Sequence, residues 1–193
     1  GGIGDIGCFS FYANKIITTG EGGMVVTNDK VVAERASLLK DLAFIPEKRF
    51  LHKELGFNYR MTNIEAAIGL AQLENIDDLV NRRRNNASRY NAILKDIDGI
   101  KLPVERPWAK NVYWMYCITI EKEFGISRDD VMKKLKENGV DSRSFFIPMH
   151  KQPVFLDMGL FANETYRVAE EISEKGLYLP SSPGLTDNQV SFI

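Results

Sequence analysis

The sequence predicts an α/β protein: the closing part of a larger sheet followed, after a proline-marked linker, by a small α+β domain. Three observations lead there. The chain begins with a strand–turn–strand pair that is too small to be a stable sheet alone. Helical segments follow, of the kind that cover a sheet. Beyond Pro103 and Pro107 comes a strand–helix–strand–helix–strand series, the pattern of a compact mixed domain.

The first strand reads Cys8-Phe9-Ser10-Phe11-Tyr12, with Phe9 and Phe11 on one face and Cys8, Ser10 and Tyr12 on the other. The turn Thr19-Gly20-Glu21-Gly22-Gly23 joins it to a second strand, Gly23 to Thr27. A helix over Val31 to Leu42 carries Val32, Leu38, Leu39 and Leu42 toward the sheet. Thr62-Asn63-Ile64-Glu65 is a capping box opening a helix through Leu73, where Ala66, Ala67, Gly69 and Ala71 permit close packing. A longer helix, about Asp78 to Lys95, places Leu79, Tyr90, Ile93 and Leu94 on its apolar side, and the run Arg82-Arg83-Arg84 reads as a solvated or interface face.

After the linker, Tyr113 to Glu121 is rich in aromatic and β-branched residues and reads as a strand. Ser127 caps a helix from Arg128 to Asn138 that ends at Gly139. Val140 to Ile147 is the next strand, Asn163 opens a helix ended by Gly176, and Leu177 to Pro180 closes as a short strand. The expected domains are residues 1–75, the end of a large domain incomplete at its start; 76–107, a connecting helix and linker; and 108–193, the small domain. The stop at Phe192-Ile193 reads as mid-element.

Composition narrows the function classes. Lys+Arg at 25 against Asp+Glu at 26 leaves a net charge of −1, which gives no electrostatic footprint for nucleic acid or an anionic membrane. No run approaches the roughly 20 apolar residues of a membrane span, and the opening residues lack a signal-peptide pattern. Two cysteines far apart, Cys8 and Cys117, and two histidines make a structural zinc site improbable, and no metal is expected. These features predict a cytoplasmic protein with both thiols reduced and buried.

The densest chemistry runs from Ser10 to Gly23. Lys15 stands just past a strand end, where ligand sites of open α/β sheets cluster. Around it are the Ser10 hydroxyl, Thr18, Thr19 and the glycine-rich turn. Two readings stand on spacing alone: a surface lysine beside a hairpin turn, or an amine placed for Schiff-base chemistry with nearby groups holding a phosphate.

The run Phe9-Ser10-Phe11-Tyr12-Ala13-Asn14-Lys15, continued by Ile16-Ile17-Thr18-Thr19-Gly20-Glu21-Gly22-Gly23, resembles the signature FSF-(H/Y)-x-x-K-x-(I/L)-T-T-G-E-G-G of the DegT/DnrJ/StrS family of pyridoxal-phosphate nucleotide-sugar aminotransferases. Gly56-Phe57-Asn58-Tyr59-Arg60-Met61-Thr62 is similar to that family's G-(Y/F)-N-Y-R-M-(T/S). The resemblance covers essentially the whole chain. It implies the C-terminal part of a PLP-dependent aminotransferase fold, aspartate aminotransferase-like (fold type I). It also implies pyridoxal 5'-phosphate as cofactor, held covalently by Lys15 and at its phosphate by Ser10. Asn58 would reach the phosphate in the neighbouring subunit of a homodimer. Arg60 would serve the same interface or pair with a carboxylate.

Arg143-Ser144-Phe145-Phe146-Ile147-Pro148-Met149-His150 is similar to the R-P-F-F-Y-P-x-H segment of the perosamine synthases within that family, departing at Ser144 and Ile147. Tyr113-Trp114-Met115-Tyr116 fits the same subgroup. The resemblance implies transfer of an amino group from glutamate to a 4-keto-6-deoxy nucleotide sugar, with Tyr12, Trp114 and His150 toward the substrate. Trp114 also reads as a core tryptophan, and His150 as a loop histidine bonded to backbone. Because Lys15 is a lysine and not the histidine of the family's dehydratases, transamination is expected. The acid that pairs with the pyridinium nitrogen has no counterpart in these 193 residues and belongs, on this resemblance, to sequence before Gly1. A piece that keeps fold and dimer surfaces without catalysis is the competing expectation.

Overall fold

The computed structural model describes residues 1–45 and 47–193. The chain divides into two compact units, Gly1–Asp77 and Asp78–Ile193. Among the described residues no helix is long and apolar enough to cross a membrane.

In the first unit, β1 (Gly7–Ser10) and β2 (Gly23–Val26) pair antiparallel, Gly7 opposite Val26 and Ser10 opposite Gly23. The first strand is shorter than its alternation suggests. Phe11 N–H still bonds Gly22 O at 2.9 Å, but the chain then turns, Lys15 N–H closing on Tyr12 O at 3.0 Å. Cys8 is exposed in this unit and Cys117 of the second is half-buried, so the expected burial of both thiols is corrected; β1 leaves Cys8 and Phe9 uncovered. Helix α1 (Lys30–Lys40) starts where Asp29 Oδ1 accepts from Val31 N–H at 2.8 Å. Helix α2 (Asn63–Leu73) has the expected capping box, with Thr62 and Glu65 satisfying each other's backbone N–H groups.

The second unit is built on a four-stranded antiparallel sheet in the order β3 (Ile100–Lys101), β4 (Tyr116–Ile120), β6 (Gly176–Leu179), β5 (Arg143–Ser144). Alternation on β4 buries Tyr116, Ile118 and Ile120. They join Leu177 and Leu179 of β6, and Ala87 and Tyr90 of helix α3 (Ile76–Leu94), in one core. Val131, Met132 and Leu135 of helix α4 (Arg128–Glu137) pack against it. The Tyr90 and Tyr116 rings stack with centroids 4.6 Å apart. Helices α5 (Pro153–Asp157), α6 (Arg167–Lys175) and α7 (Asp187–Phe192) complete the unit.

Several boundaries differ from the sequence reading, each for a local reason. The strand expected from Tyr113 begins at Tyr116, because Tyr113 adopts φ +46°, which breaks the extended run. The strand expected over Val140 to Ile147 pairs only at Arg143 and Ser144. The helix expected from Asn163 starts at Arg167, Tyr166 being non-helical at φ −124°, ψ 78°. Gly139 takes the left-handed φ of +80° expected after α4. Gly176 opens β6 in extended conformation, and a Cβ there would collide with the Phe145 ring. Strand β3 and helices α5 and α7 were not foreseen, although Thr186 and Gln189 form a capping box that the spacing carries.

Candidate active site

Ser10 ends β1, and Tyr12 and Lys15 open and close the turn that follows it. Ser10 Oγ accepts the Tyr12 N–H at 3.3 Å, which leaves the hydroxyl proton to donate elsewhere. Lys15 is half-buried, while Ser10 and Tyr12 are exposed. The return segment is tied down at both ends. Thr18 Oγ1 donates to Phe11 O at 2.8 Å, and Thr19 N–H donates to the same oxygen at 2.9 Å. Gln72 of α2 brackets Thr18, its Nε2 donating to Thr18 O at 2.6 Å and its Oε1 accepting the Thr18 N–H at 3.1 Å.

Two glycines make that packing possible. A Cβ on Gly69 of α2 would come within 2.9 Å of the Thr19 methyl group, so the small residue lets the loop rest on the helix. Gly22 sits at φ +142°, and a Cβ there would stand 2.5 Å from Thr19 Oγ1. The result is a loop around Lys15 that packs closely on α2.

Asn58 lies on another segment of the same unit, exposed, in a bridge with Asp41 just past α1. Leu42 and Ala43 turn the chain there with φ of +59° and +51°, their amides spent on Phe57 O at 3.0 Å and Leu38 O at 2.9 Å. Arg60 Nε donates to Asn58 Oδ1 at 3.2 Å, which leaves the Asn58 amide N–H groups pointing away from that contact as donors. Arg60 also pairs with Asp41 at 3.2 Å, so in this chain it meets a carboxylate. Phe57 and Tyr59 stack at 5.1 Å on the opposite side of the strand-like run.

In the second unit Trp114 is half-buried, and its carbonyl accepts from Arg83 Nη1 at 2.6 Å and from Ser181 Oγ at 3.3 Å. His150 is buried, 6% exposed, on a short 3-10 turn. Its Nε2 lies 2.8 Å from Glu170 Oε1, and its ring meets the Tyr166 ring at 4.9 Å; its partner is a side-chain carboxylate and not backbone. The hydrogen bonds from His150 and from Tyr166 N–H hold the Glu170 carboxyl below its usual range.

The arginine run is corrected. Arg82 is exposed and paired with Asp78, and Arg84 pairs with Glu105 at 2.6 Å, but Arg83 is 8% exposed. Burial pushes its guanidinium pKa down, and among the described residues it has carbonyl partners and no carboxylate within ion-pair distance.

Across residues 1–193 the chain matches the model of the DegT/DnrJ/EryC1/StrS aminotransferase family. The chain belongs to that family. It is 37% identical over 195 residues to the GDP-perosamine synthase of Vibrio cholerae, covering 100% of this chain and 52% of that protein. It is 39% identical over 191 residues to the GDP-perosamine synthase of Caulobacter vibrioides, covering 98% and 51%. Among solved structures, Helicobacter pylori PseC, an aminotransferase involved in pseudaminic acid biosynthesis, superposes with a TM-score of 0.87 at 28% identity, over 99% of this chain and 52% of that one. The chain thus spans about half the length of the relatives it matches. Its fold is that of sugar aminotransferases, the fold type I class expected from the sequence.

For this family member, the structure sets Ser10 at the end of β1 with Tyr12 and Lys15 on the turn after it, and Asn58 beside Arg60 and Asp41 on a second segment. Trp114 and His150 stand on separate segments of the second unit. Sequence reading missed Glu170, the burial of Arg83, and Gln72. The first two had no local signal, because their partners lie 20 to 98 positions away in sequence. Gln72 had one faint hint, a polar residue among the small ones of α2.

Proposed function

We propose that the whole protein is a pyridoxal-phosphate-dependent transaminase. In this reading it moves an amino group from glutamate to a 4-keto-6-deoxy nucleotide sugar of the perosamine type, a precursor of surface polysaccharide or O-antigen. The observation that carries the reading is the placement of half-buried Lys15 on the tight turn after β1, inside a loop pinned to α2. Identity to GDP-perosamine synthases over nearly all of the chain supports it.

The donor set of the first unit suits the cofactor. A hydroxyl with its proton to give (Ser10) and an amide with N–H groups to give (Asn58) match phosphate oxygens. Gly22 keeps the loop that carries Lys15 closely packed, since a Cβ there would meet Thr19 Oγ1 at 2.5 Å and Met61 Cε at 3.1 Å. When bound, pyridoxal phosphate supplies an aldehyde for amine attachment and a ring that withdraws electrons from the neighbouring carbon. Lys15 Nζ is the attachment point. With the cofactor bound, Lys15 Nζ would also be the group that takes and returns a proton at the reacting carbons. Ser10 and Asn58 hold the phosphate, Asn58 from the partner protomer, so a homodimer is part of the site. Tyr12 is the substrate-side residue of the first unit in this reading.

We assign the group that faces the pyridinium nitrogen to the remainder of the enzyme, because the chain covers about half of its relatives. On that assignment these 193 residues alone do not turn over, and the protein works in the cytoplasm, where nucleotide sugars are made.

The test is borohydride reduction of the cofactor-loaded whole protein followed by peptide mass spectrometry. The reduced cofactor is expected on Lys15. Lys15→Ala should abolish the label and lower kcat by about 100- to 10,000-fold. A label that persists in that variant, or one found on another lysine, refutes the reading.

A further inference from the structure

His150 uses one ring nitrogen on a carboxylate. Its Nε2 is 2.8 Å from Glu170 Oε1, and that same oxygen accepts the Tyr166 N–H at 3.0 Å and stands 3.5 Å from Lys151 Nζ. An oxygen surrounded by donors is ionised. The His150 hydrogen bond, and after it the Tyr166 amide, hold the Glu170 carboxyl below the usual carboxylate range. An ionised carboxylate can only accept, so the hydrogen of this contact sits on Nε2. In the neutral ring Nδ1 is then bare, and among the described residues it has no hydrogen-bond partner.

We propose that Glu170 is a positioning residue: it fixes His150 as the Nε2–H tautomer and so turns Nδ1 into a hydrogen-bond acceptor for a hydroxyl-bearing ligand, a sugar, and not for a phosphate.

The argument is one of complementarity. A phosphate oxygen is itself an acceptor and meets a bare Nδ1 unfavourably, whereas a sugar hydroxyl donates to it. Geometry adds to the effect. His150 is 6% exposed and edge-on to Tyr166 at 4.9 Å, so the ring has little freedom to flip and offer its other nitrogen. The clasp also joins the Met149–Lys151 turn to the start of α6 across 20 residues of sequence. An outer partner that sets a histidine's tautomer is a general device for aiming the inner nitrogen.

The proposal rests on the sugar-aminotransferase reading, but its first test does not. The chain has only two histidines, so nitrogen-15 spectra of the imidazoles separate His150 from His52. The neutral His150 ring is expected as the Nε2–H tautomer, and Glu170→Ala is expected to give a mixture of tautomers. An Nδ1–H ring in the unaltered chain overturns the proposal.

The second test uses the whole enzyme. Glu170→Ala should raise KM for the nucleotide sugar about tenfold with kcat within about twofold, while Glu170→Gln, which keeps an acceptor oxygen, restores both. A nucleoside diphosphate without its sugar should bind the unaltered enzyme and Glu170→Ala equally. An equal loss for that diphosphate, or an unchanged KM, overturns the hydroxyl assignment. If Glu170→Ala does not fold, the tautomer of the unaltered chain and the behaviour of Glu170→Gln decide. A correct tautomer in a protein whose Lys15 carries no cofactor would instead indict the reading of function.

Discussion

The Arg83 guanidinium bridges two carbonyls far apart in sequence, Nη1 donating to Trp114 O at 2.6 Å and to Ser181 O at 3.0 Å. Its neighbours on α3 extend the same seam. Asn86 donates to Ser182 O at 2.8 Å and Tyr90 to Pro180 O at 2.9 Å. One face of the helix thereby carries the segment that follows β6.

This makes Arg83 far more costly to remove than the arginine before it. Arg83→Met should destabilise the protein by about 1–3 kcal/mol, because a buried carbonyl loses its charged donor. Arg82→Ala, which breaks an exposed pair with Asp78, should cost about 0–1 kcal/mol. Urea midpoints of the two variants check this, and equal midpoints would refute the bridging role.

The loop around Lys15 predicts a contrast between two glycines. Gly22→Ala places a Cβ against Thr19 Oγ1 at φ +142°, and should cost about 1–3 kcal/mol. At Gly20, φ +84°, a Cβ meets open space, so Gly20→Ala pays only the left-handed cost of about 1–2 kcal/mol. Thermal unfolding should therefore order the variants with Gly22→Ala lowest. The reverse order would mean that the loop does not pack as described.

Glu121 predicts a pH dependence. Its carboxylate, 12% exposed, receives Lys175 Nζ at 2.8 Å and stands 3.1 Å from Lys101 Nζ. The hydrogen bond from Lys175, then those from Lys101 and Thr119, bring its pKa down to about 2. In the unfolded chain a glutamate titrates at about 4.3. The stability it contributes is therefore fully present above about pH 4.3 and is lost as the pH falls toward about 2. Glu121→Gln should flatten the fall of the urea midpoint across that window and change little of its slope at higher pH. An unaltered acid limb would remove Glu121 from the account.

Much of this was legible in the residues themselves. Thr62 with Glu65, and Ser127, announce their helices because a cap is a contact between neighbours in sequence. Alternation from Tyr116 to Ile120 names the face of β4 that becomes the core. The motif around Lys15 is continuous, so its turn was visible as a unit. Boundaries failed where tertiary context overrode pattern. Tyr113 was read as strand and is left-handed, held where Asn111 Oδ1 accepts its N–H at 2.9 Å and Arg84 lies over its ring at 5.8 Å. Val140 to Ile147 has strand composition, but β6 offers it partners only at Arg143 and Ser144.

By itself the sequence determined the class of fold, the family and the motif that carries Lys15, since each is written in contiguous residues or in a short period. Only the tertiary structure decided which arginine of three is buried, that Gln72 holds the lysine-bearing loop, and that Glu170 occupies one nitrogen of His150. The reason is physical: these are contacts between side chains and groups brought together by packing, and a linear pattern carries no information about a partner it does not adjoin.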